Sequence, residues 1–291
     1  MQPQIDNQIL VTGGTGTLGR HVVRALRDAG RQVRVVGRHS SAADPEVEFV
    51  IGDLATGDGI EAAVAGIGTV VHCAGSSKGD EDKTRNLVRA ASRAGVRHLV
   101  YISVVGADRV PMVSGIDRTM FGYFGSKLAA ERVVTESGLP WTTLRAAQFH
   151  ELLLMVAQQM EKLPLIPVAA GFRFQPIAAD EVAGRLVELT LGPPAGLVAE
   201  MAGPRAYGMA DLLRIYLRAR GKRRMLLPLW IPGRAARALR AGANLAPGGA
   251  VGRRTWENFV AERLNSQNGV SEGQNRSGPH DQARVLHHPP A

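Results

Sequence analysis

Three glycines near the start of the chain have the spacing of a phosphate-binding loop. Gly13, Gly16 and Gly19 follow an apolar run and precede a helical pattern that starts at Arg20. Gly13 permits a tight turn, Gly16 lets the backbone approach a pyrophosphate, and Gly19 lets the helix pack closely on the strand. Because the N–H groups at a helix start favour an anion, the pattern predicts a dinucleotide site; the alternative is a glycine-rich turn without a ligand. The predicted contacts are Gly13, Thr15, Gly16, Thr17, Leu18 and Gly19.

The end of the second predicted strand bears on the choice between the two nicotinamide dinucleotides. An NAD site usually places an acid there, where it accepts a hydrogen bond from the ribose 2′-OH. This chain instead has the residues GRHS at 37–40, and no acid occurs before Asp44. Since Arg38 can pair with a 2′-phosphate and Ser40 can donate to it, the sequence predicts NADP(H) in preference to NAD(H). The alternative for Arg38 is a solvated surface arginine.

Two further strand ends supply candidate contacts to the adenosine half of the cofactor. Asp53 and Leu54 follow the third strand, and the Asp53 carboxylate can accept from the adenine amino group; a plain turn aspartate is the alternative. Cys73, Ala74 and Gly75 follow the fourth strand, where small residues let a ribose lie against the backbone. Cys73 itself is typical of a small core residue rather than of a nucleophile.

Strand-like and helical segments alternate along the first half of the chain. Apolar β-branched runs occur at 8–12, 32–37, 47–51, 69–72, 97–104 and 141–145, with helical patterns between many of them. This rhythm predicts an α/β fold of Rossmann type, a doubly wound parallel sheet with a small C-terminal substrate lobe. We assign 1–147 to the dinucleotide-binding domain, with its sheet completed by later strands, 148–264 to the substrate lobe, and 265–291 to a disordered tail.

Composition narrows the class of protein further. The chain has 291 residues and one cysteine, so no internal disulfide is possible, which fits a reducing compartment. The polar start and the absence of a run of 18 apolar residues predict no signal peptide and no transmembrane helix, so we expect a cytoplasmic protein. No group of residues suggests a metal site. Oligomeric state stays open between monomer and homodimer.

The positive charge is concentrated in one part of the chain. Between Arg205 and Arg240 there are ten basic residues against one acid, Asp211. No aromatic-interleaved basic face or known reading motif accompanies them, so we expect no nucleic-acid partner. The apolar segment 225–231, which includes Trp230, lies beside these arginines. It is consistent with a cover over the substrate pocket, or with peripheral contact to an anionic membrane.

Several motifs together resemble a known family. They are TGGTGTLG at 12–19, GDL at 52–54, YISVVG at 101–106, KLAAE at 127–131 and PIAADEVA at 176–183. The chain resembles the short-chain dehydrogenase/reductase superfamily, and within it the atypical branch of NmrA-like NAD(P)H-binding proteins. The first motif is specific for cofactor binding, whereas the later ones are specific for the branch and not for a reaction.

The resemblance implies a catalytic trio of Ser103, Tyr123 and Lys127. Tyr123 and Lys127 match the family's Y-x-x-x-K spacing, which puts both on one face of a helix. In such a trio the tyrosine exchanges a proton with a carbonyl or alcohol oxygen, and the lysine lowers its pKa and bonds the nicotinamide ribose. Ser103 would hold the substrate oxygen. Two features favour a non-catalytic alternative, namely a possible Lys127–Glu131 helix pair and an irregular segment, 107–119, before the tyrosine.

The helix that follows the sixth strand is expected over the nicotinamide end of the site. Its first residues, Gln148, Phe149 and His150, are the candidate substrate contacts, although His150 also suits a packed helix histidine. The family usually carries a proline after this strand, where this chain has Ala146 and Ala147. The leading hypothesis is an NADP(H)-dependent oxidoreductase acting on a small apolar carbonyl or quinone. The alternatives are a non-catalytic NADP(H)-sensing regulatory protein and an accessory subunit of a membrane complex.

Overall fold

The computed structural model describes residues 8–39, 46–75 and 79–275. Its helices are α1 (Gly19–Asp28), α2 (Ile60–Val64), α3 (Asp80–Arg93), α4 (Gly115–Thr135), α5 (His150–Met160), α6 (Ala179–Leu191), α7 (Met209–Ala219), α8 (Arg234–Arg240) and α9 (Trp256–Asn275). The strands of the first half are β1 (Gln8–Thr12), β2 (Gln32–Gly37), β3 (Glu48–Ile51), β4 (Thr69–His72), β5 (His98–Val104) and β6 (Trp141–Ala146). Those of the second half are β7 (Leu165–Ala169), β8 (Arg173–Phe174), β9 (Gly196–Leu197), β10 (Met201–Ala202), β11 (Tyr207–Gly208), β12 (Met225–Leu229) and β13 (Ala250–Val251).

A parallel sheet forms the centre of the molecule. Its strand order is β13-β10-β6-β5-β4-β1-β2-β3, and β9 pairs with the first residues of β6. β1 lies between β2 and β4, with Val11 opposite Val35 on one side and Val71 on the other. The order reverses at β1, so the carboxyl ends of β1 and β4 open onto one crevice. The predicted doubly wound Rossmann-type sheet is confirmed.

Each face of the sheet is covered by its own apolar core. Side chains of a strand alternate between faces, so Ile9 and Val11 join one buried cluster while Leu10 joins the other. The first cluster packs under α1 and α6, with Val22 and Leu186 among its members. The second lies under α2, α3 and α4. This double covering buries the short apolar runs on both sides, as a parallel sheet requires.

The second half of the chain adds two small strand pairs and a third core. β7 pairs in parallel with β12, and β8 pairs antiparallel with β11. Ile166 and Val168 point inward from β7 against α7, and Trp256 of α9 is fully buried in the same cluster. No helix within the described ranges is long and apolar enough to cross a membrane.

The structure departs from the sequence-based boundaries at several places. α4 begins at Gly115, inside the segment 107–119 expected to be irregular, because Ser114 and Asp117 form a capping box there. α9 extends to Asn275, so residues 265–275 are helical where the composition predicts a disordered tail, and 276–291 lie outside the described residues.

Candidate functional site

The glycine loop folds back on itself and against the end of β4. Gly13 has a φ of 67°, and a Cβ added there would lie 2.7 Å from the Ala74 nitrogen. A Cβ on Gly19 would lie 2.1 Å from the Gly13 carbonyl oxygen. The N–H of Gly16 donates to that same oxygen at 2.9 Å. Larger residues at Gly13 or Gly19 would therefore push the loop away from β4 and from the helix that follows.

The loop leaves the start of α1 open to an anion. No side chain caps the helix at Leu18, and Thr15, Gly16 and Thr17 are exposed. The first N–H groups of a helix need partners, and its N-terminal end carries partial positive charge. A dinucleotide pyrophosphate would fit this position, because the loop offers backbone donors with little side-chain bulk in front of them.

A buried polar chain joins β1, β4 and α3 beneath the loop. Thr84 donates to the Asp80 carbonyl at 2.7 Å, so it accepts from His72 Nε2 at 3.1 Å. Thr12 accepts from the N–H of Ala74 at 3.2 Å and donates to His72 Nδ1 at 2.7 Å. Burial lowers the pKa of His72 to about 3, helped by the Lys127 charge, so the ring is neutral. No pattern in the sequence indicates this series of hydrogen bonds, which fixes the strand ends that carry the loop.

The predicted adenosine contacts lie along the same edge. Arg38 is exposed directly after β2, while Asp53 is half-buried and its Oδ1 accepts from the Ala55 N–H at 2.8 Å. The Asp53 carboxylate thus closes its own turn and keeps its second oxygen at the edge. Leu54 is half-buried, and its carbonyl accepts from an asparagine side chain of α3. Burial raises the pKa of Cys73 to about 12, which keeps a thiol there rather than a thiolate.

Lys127 is buried at the inner end of this edge. Its Nζ lies 3.2 Å from Asp80 Oδ2 and donates to the Ile102 carbonyl at 3.3 Å and to Tyr101 Oη at 3.4 Å. A Cβ on Gly75 would lie 2.9 Å from Nζ, so the ammonium sits directly beneath the loop that follows β4. The expected alternative, a Lys127–Glu131 surface pair, is wrong. Glu131 instead pairs with Arg145 of β6. The carboxylate that pairs with Lys127 is Asp80, which the sequence analysis did not identify.

Tyr123 and Ser103 lie near Lys127 without a shared hydrogen bond. The Tyr123 ring centroid is 6.0 Å from Lys127 Nζ, and the side chain is 40% exposed. Burial of its inner part and the Asp80 charge raise the pKa of Tyr123 to about 12, opposite to the lowering that the family trio implies. Ser103 is buried at the end of β5, and its Oγ has no hydrogen-bond partner. An unsatisfied hydroxyl of this kind is available to an incoming polar group.

The three candidate substrate residues have different environments. Gln148 is half-buried with its Oε1 unsatisfied, and Phe149 packs at the edge of the main core. His150 is fully buried instead, and its ring stacks on Phe259 with centroids 4.9 Å apart and lies 5.9 Å from Trp256. Neither ring nitrogen has a partner at normal hydrogen-bond distance, and burial lowers the pKa of His150 to about 4 against the opposing effects of Asp180 and the Pro176 backbone. The structure therefore does not bring His150 to the cofactor edge.

Two other features of the described residues bear on the site. A groove of about 710 Å³ lies between the segment 238–249 and Arg109 with Glu200, and none of the predicted site residues lines it. No group of three or more histidine, cysteine, aspartate or glutamate side chains within the described ranges could hold a metal ion. The candidate site is therefore the open edge around the glycine loop.

Comparison with known proteins agrees with this assignment. Residues 13–183 match the model of an NAD(P)H-binding family. Ceramide reductase from Caulobacter vibrioides is 30% identical over 245 residues, covering 77% of this chain and 74% of that protein. The photosystem II assembly factor of Trieres chinensis is 28% identical over 175 residues, which cover 54% of this chain and 51% of that protein.

A solved structure with the same fold supports the architecture alone. The NADPH-dependent quinone oxidoreductase of Escherichia coli, in complex with NADPH, superposes with a TM-score of 0.72 at 20% sequence identity. The match covers 88% of this chain and 100% of that one. Because the family match runs from the glycine loop through β4 to the start of α6, the chain belongs to the NAD(P)H-binding family, and its motifs resemble the atypical, NmrA-like branch of the short-chain dehydrogenase/reductases.

Proposed function

We propose that this protein is an NADP(H)-dependent oxidoreductase that acts on a small apolar carbonyl or quinone. The observation that carries the proposal is the convergence of an uncapped glycine loop, the buried ammonium of Lys127 and the phenol of Tyr123 on one sheet edge. A loop that served only as a turn would not need the ammonium beneath it. We also place the protein in the cytoplasm, as a monomer or homodimer.

Different residues along this sheet edge bind different parts of the cofactor. The glycine loop and α1 hold the pyrophosphate, Arg38 holds the 2′-phosphate, and Asp53 with the 73–75 segment holds the adenosine. Lys127, beneath Gly75, holds the nicotinamide ribose. When bound, the reduced nicotinamide supplies a hydride to an oxidised carbon.

Tyr123 donates the proton that carbonyl reduction requires. A phenol with a pKa of about 12 carries its proton at neutral pH, as a donor must, but it is a weaker acid than the tyrosine of lowered pKa that the family trio implies. Ser103, with its unsatisfied buried hydroxyl, positions the substrate oxygen. Because Asp80 neutralises Lys127, the ammonium acts as an anchor more than as a group that acidifies the phenol.

The substrate side of the edge is mostly apolar. Phe149 and the adjoining core offer hydrocarbon contact, and the free Oε1 of Gln148 offers one acceptor. This lining suits a lipid-like or quinone-like carbonyl better than a charged sugar. A relative that is named as a ceramide reductase supports a lipid-like substrate class.

The cofactor part of the proposal is tested by titration with NADPH and NADH. We expect tighter binding of NADPH, and Arg38→Ala should raise its Kd about tenfold while leaving NADH unchanged, because one charge-assisted contact to the 2′-phosphate is lost. Arg218→Ala, which removes an exposed arginine of α7, is the matched control. Equal binding of both dinucleotides by the wild-type protein would refute the NADP(H) preference.

The catalytic part is tested with a panel of quinones and long-chain ketones. Tyr123→Phe should lower kcat by about a hundredfold at unchanged NADPH affinity, since only the proton donor is removed. Tyr207→Phe is the control, because that hydroxyl bonds Glu257 in the substrate lobe. Activity that survives in Tyr123→Phe would exclude the tyrosine as the acid.

A second candidate is a non-catalytic NADP(H)-sensing regulator or an accessory subunit of a membrane complex. It is favoured by the missing hydrogen bond between Ser103 and its predicted trio partners and by the raised Tyr123 pKa. One relative is named as a photosystem II assembly factor. Tight NADPH binding without turnover across the panel would move the assignment to this candidate.

A further inference from the structure

An exposed apolar face with a basic border lies on the substrate lobe. It is built by the parallel pair β7–β12, in which Met225 lies opposite Leu165 and Leu227 opposite Pro167. The two strands come from segments about sixty residues apart in sequence. We call this surface the β7–β12 face; its outward side chains are Leu165, Pro167, Met225, Leu227 and Leu229, with Trp230 at its end.

The two-stranded sheet β7–β12 is apolar on both of its sides, which is unusual for strands at a protein surface. Ile166 and Val168 fill the core from the inner side, and Leu226 packs partly against the same cluster. On the outer side Met225 is 72% exposed and Trp230 is 70% exposed, with three leucines also exposed. Continuous exposed hydrocarbon of this kind marks a surface that is covered in use.

The exposed border of the face is basic, and the adjacent carboxylate of Glu161 is buried and paired with Lys222 and Arg220. Neither the segment 162–173 nor the segment 222–240 contains an acidic residue. Lys162, Arg223 and Arg224 line a groove at the end of the face beside Met225. At the other end the guanidinium of Arg240, which belongs to α8, lies 3.9 Å from the centroid of the Trp230 ring.

The basic border and the apolar centre of the β7–β12 face together indicate which partner covers it. A second copy of the chain would oppose its basic border with another, and like charges across an interface are unfavourable. A nucleic acid would use the cations but would gain little from bare aliphatic side chains. An anionic bilayer satisfies both, because it receives leucine and tryptophan in its interface and attracts arginine and lysine to its headgroups.

We propose that the β7–β12 face docks this protein onto anionic lipid membranes, with Trp230 and Leu227 inserted and Lys162, Arg223 and Arg224 on the headgroups. This proposal stands apart from the oxidoreductase assignment, because membrane binding requires no turnover. It also provides a location at which an apolar carbonyl substrate would be available.

The test uses the full chain and vesicles of phosphatidylcholine with about one third phosphatidylglycerol. We expect cosedimentation at low salt, little binding to pure phosphatidylcholine, and loss of binding as salt screens the headgroup charge. Trp230 is the exposed reporter, since Trp256 is buried and Trp141 half-buried. Its emission should shift to shorter wavelength on binding, and Trp230→Phe should abolish that shift.

Variants locate the binding on this face. Leu227→Glu, and Arg223→Glu combined with Arg224→Glu, should each lower vesicle partitioning at least about tenfold, from lost insertion and reversed charge. Leu197→Glu, and Arg89→Glu combined with Arg132→Glu, exposed on β9, α3 and α4, are the matched controls and should bind as wild type. NADPH titration of every variant verifies that it is folded.

Four outcomes would overturn the proposal. The first is no sedimentation with anionic vesicles, and the second is sedimentation that Leu227→Glu leaves unchanged. The third is a dimer of the wild-type chain that Leu227→Glu dissociates, which would assign the face to a second copy. The fourth is duplex DNA that displaces the vesicles and loses affinity in the double arginine variant.

Discussion

Two buried histidines are held neutral by their surroundings. Burial lowers the pKa of His72 to about 3 within a chain of threonine hydroxyls, and that of His150 to about 4 against aromatic rings. An unfolded histidine titrates near 6.5. Each histidine therefore contributes stability that is fully present above about pH 6.5 and is lost as the pH falls toward the folded pKa, because only the unfolded chain takes up the proton.

His150→Phe is predicted to reduce the acid sensitivity of the fold. The ring makes no hydrogen bond of normal length and stacks on Phe259, so phenylalanine can occupy the site. Between pH 8 and pH 5 the wild-type histidine costs about 2 kcal/mol of unfolding free energy, and the variant should not lose that amount. Urea unfolding at both pH values measures this. The same pH dependence in variant and wild type would show that His150 is not neutral in the native state.

At the scale of elements, α4 carries both Tyr123 and Lys127 and is fixed at its first turn. Ser114 Oγ accepts from the Asp117 N–H at 3.1 Å, and Asp117 Oδ2 accepts from the Ser114 N–H at 3.0 Å. The other oxygen of Asp117 accepts from the N–H of Ala235, so the cap also holds the start of α8. The position of the candidate proton donor thus depends on a capping box two turns earlier in the helix.

Ser114→Ala is predicted to destabilise the protein by about 1 kcal/mol, since an N-cap acceptor is lost. Thr119→Ala is the control, because Thr119 is exposed inside the same helix and bonds only the Gly115 carbonyl. Chemical unfolding of the three proteins gives the comparison. If Ser114→Ala is as stable as Thr119→Ala, the cap does not stabilise α4.

The same element shows how far the sequence could predict the site. The four-residue spacing of Tyr123 and Lys127 is visible in the sequence and places them on one helix face. Their partners are not visible, because Lys127 meets Asp80 from α3 and Ile102 from β5. The local sequence pattern predicts which residues share one face of a helix. The packing of that helix on its neighbours determines which charged groups lie opposite the face.

At the scale of the whole molecule, an ion network centred on the buried Arg145 joins the sheet to α4 and to the segment before β10. Arg145 of β6 makes two bonds to Glu131 of α4, at 2.9 and 2.7 Å, and its Nη1 lies 2.8 Å from Asp108. The Glu131 carboxylate raises the pKa of Arg145. Glu200, before β10, pairs with Arg109 at 2.9 Å and lies 3.7 Å from Arg145 Nη1. These ion pairs connect β6, α4 and the segment before β10, and Arg145 lies opposite Ser103 in the sheet.

Glu131→Ala is predicted to lower the unfolding free energy by about 3 kcal/mol, because it leaves a buried arginine with fewer partners. Glu136→Ala, at the exposed end of the same helix, should have little effect. Thermal and urea unfolding measure both. Equal stabilities of the two variants would show that Asp108 and Glu200 alone satisfy Arg145.

The sequence by itself determined the Rossmann-type sheet, the glycine loop and the family, because alternating apolar runs and short glycine motifs act over a few residues. Only the tertiary structure decided that Asp80 neutralises Lys127, that His150 stacks in an aromatic core, and that β7 pairs with β12 to expose an apolar face. These contacts join residues that are far apart in sequence. Their energies come from burial and from charge at short range, and neither leaves a local pattern in the chain.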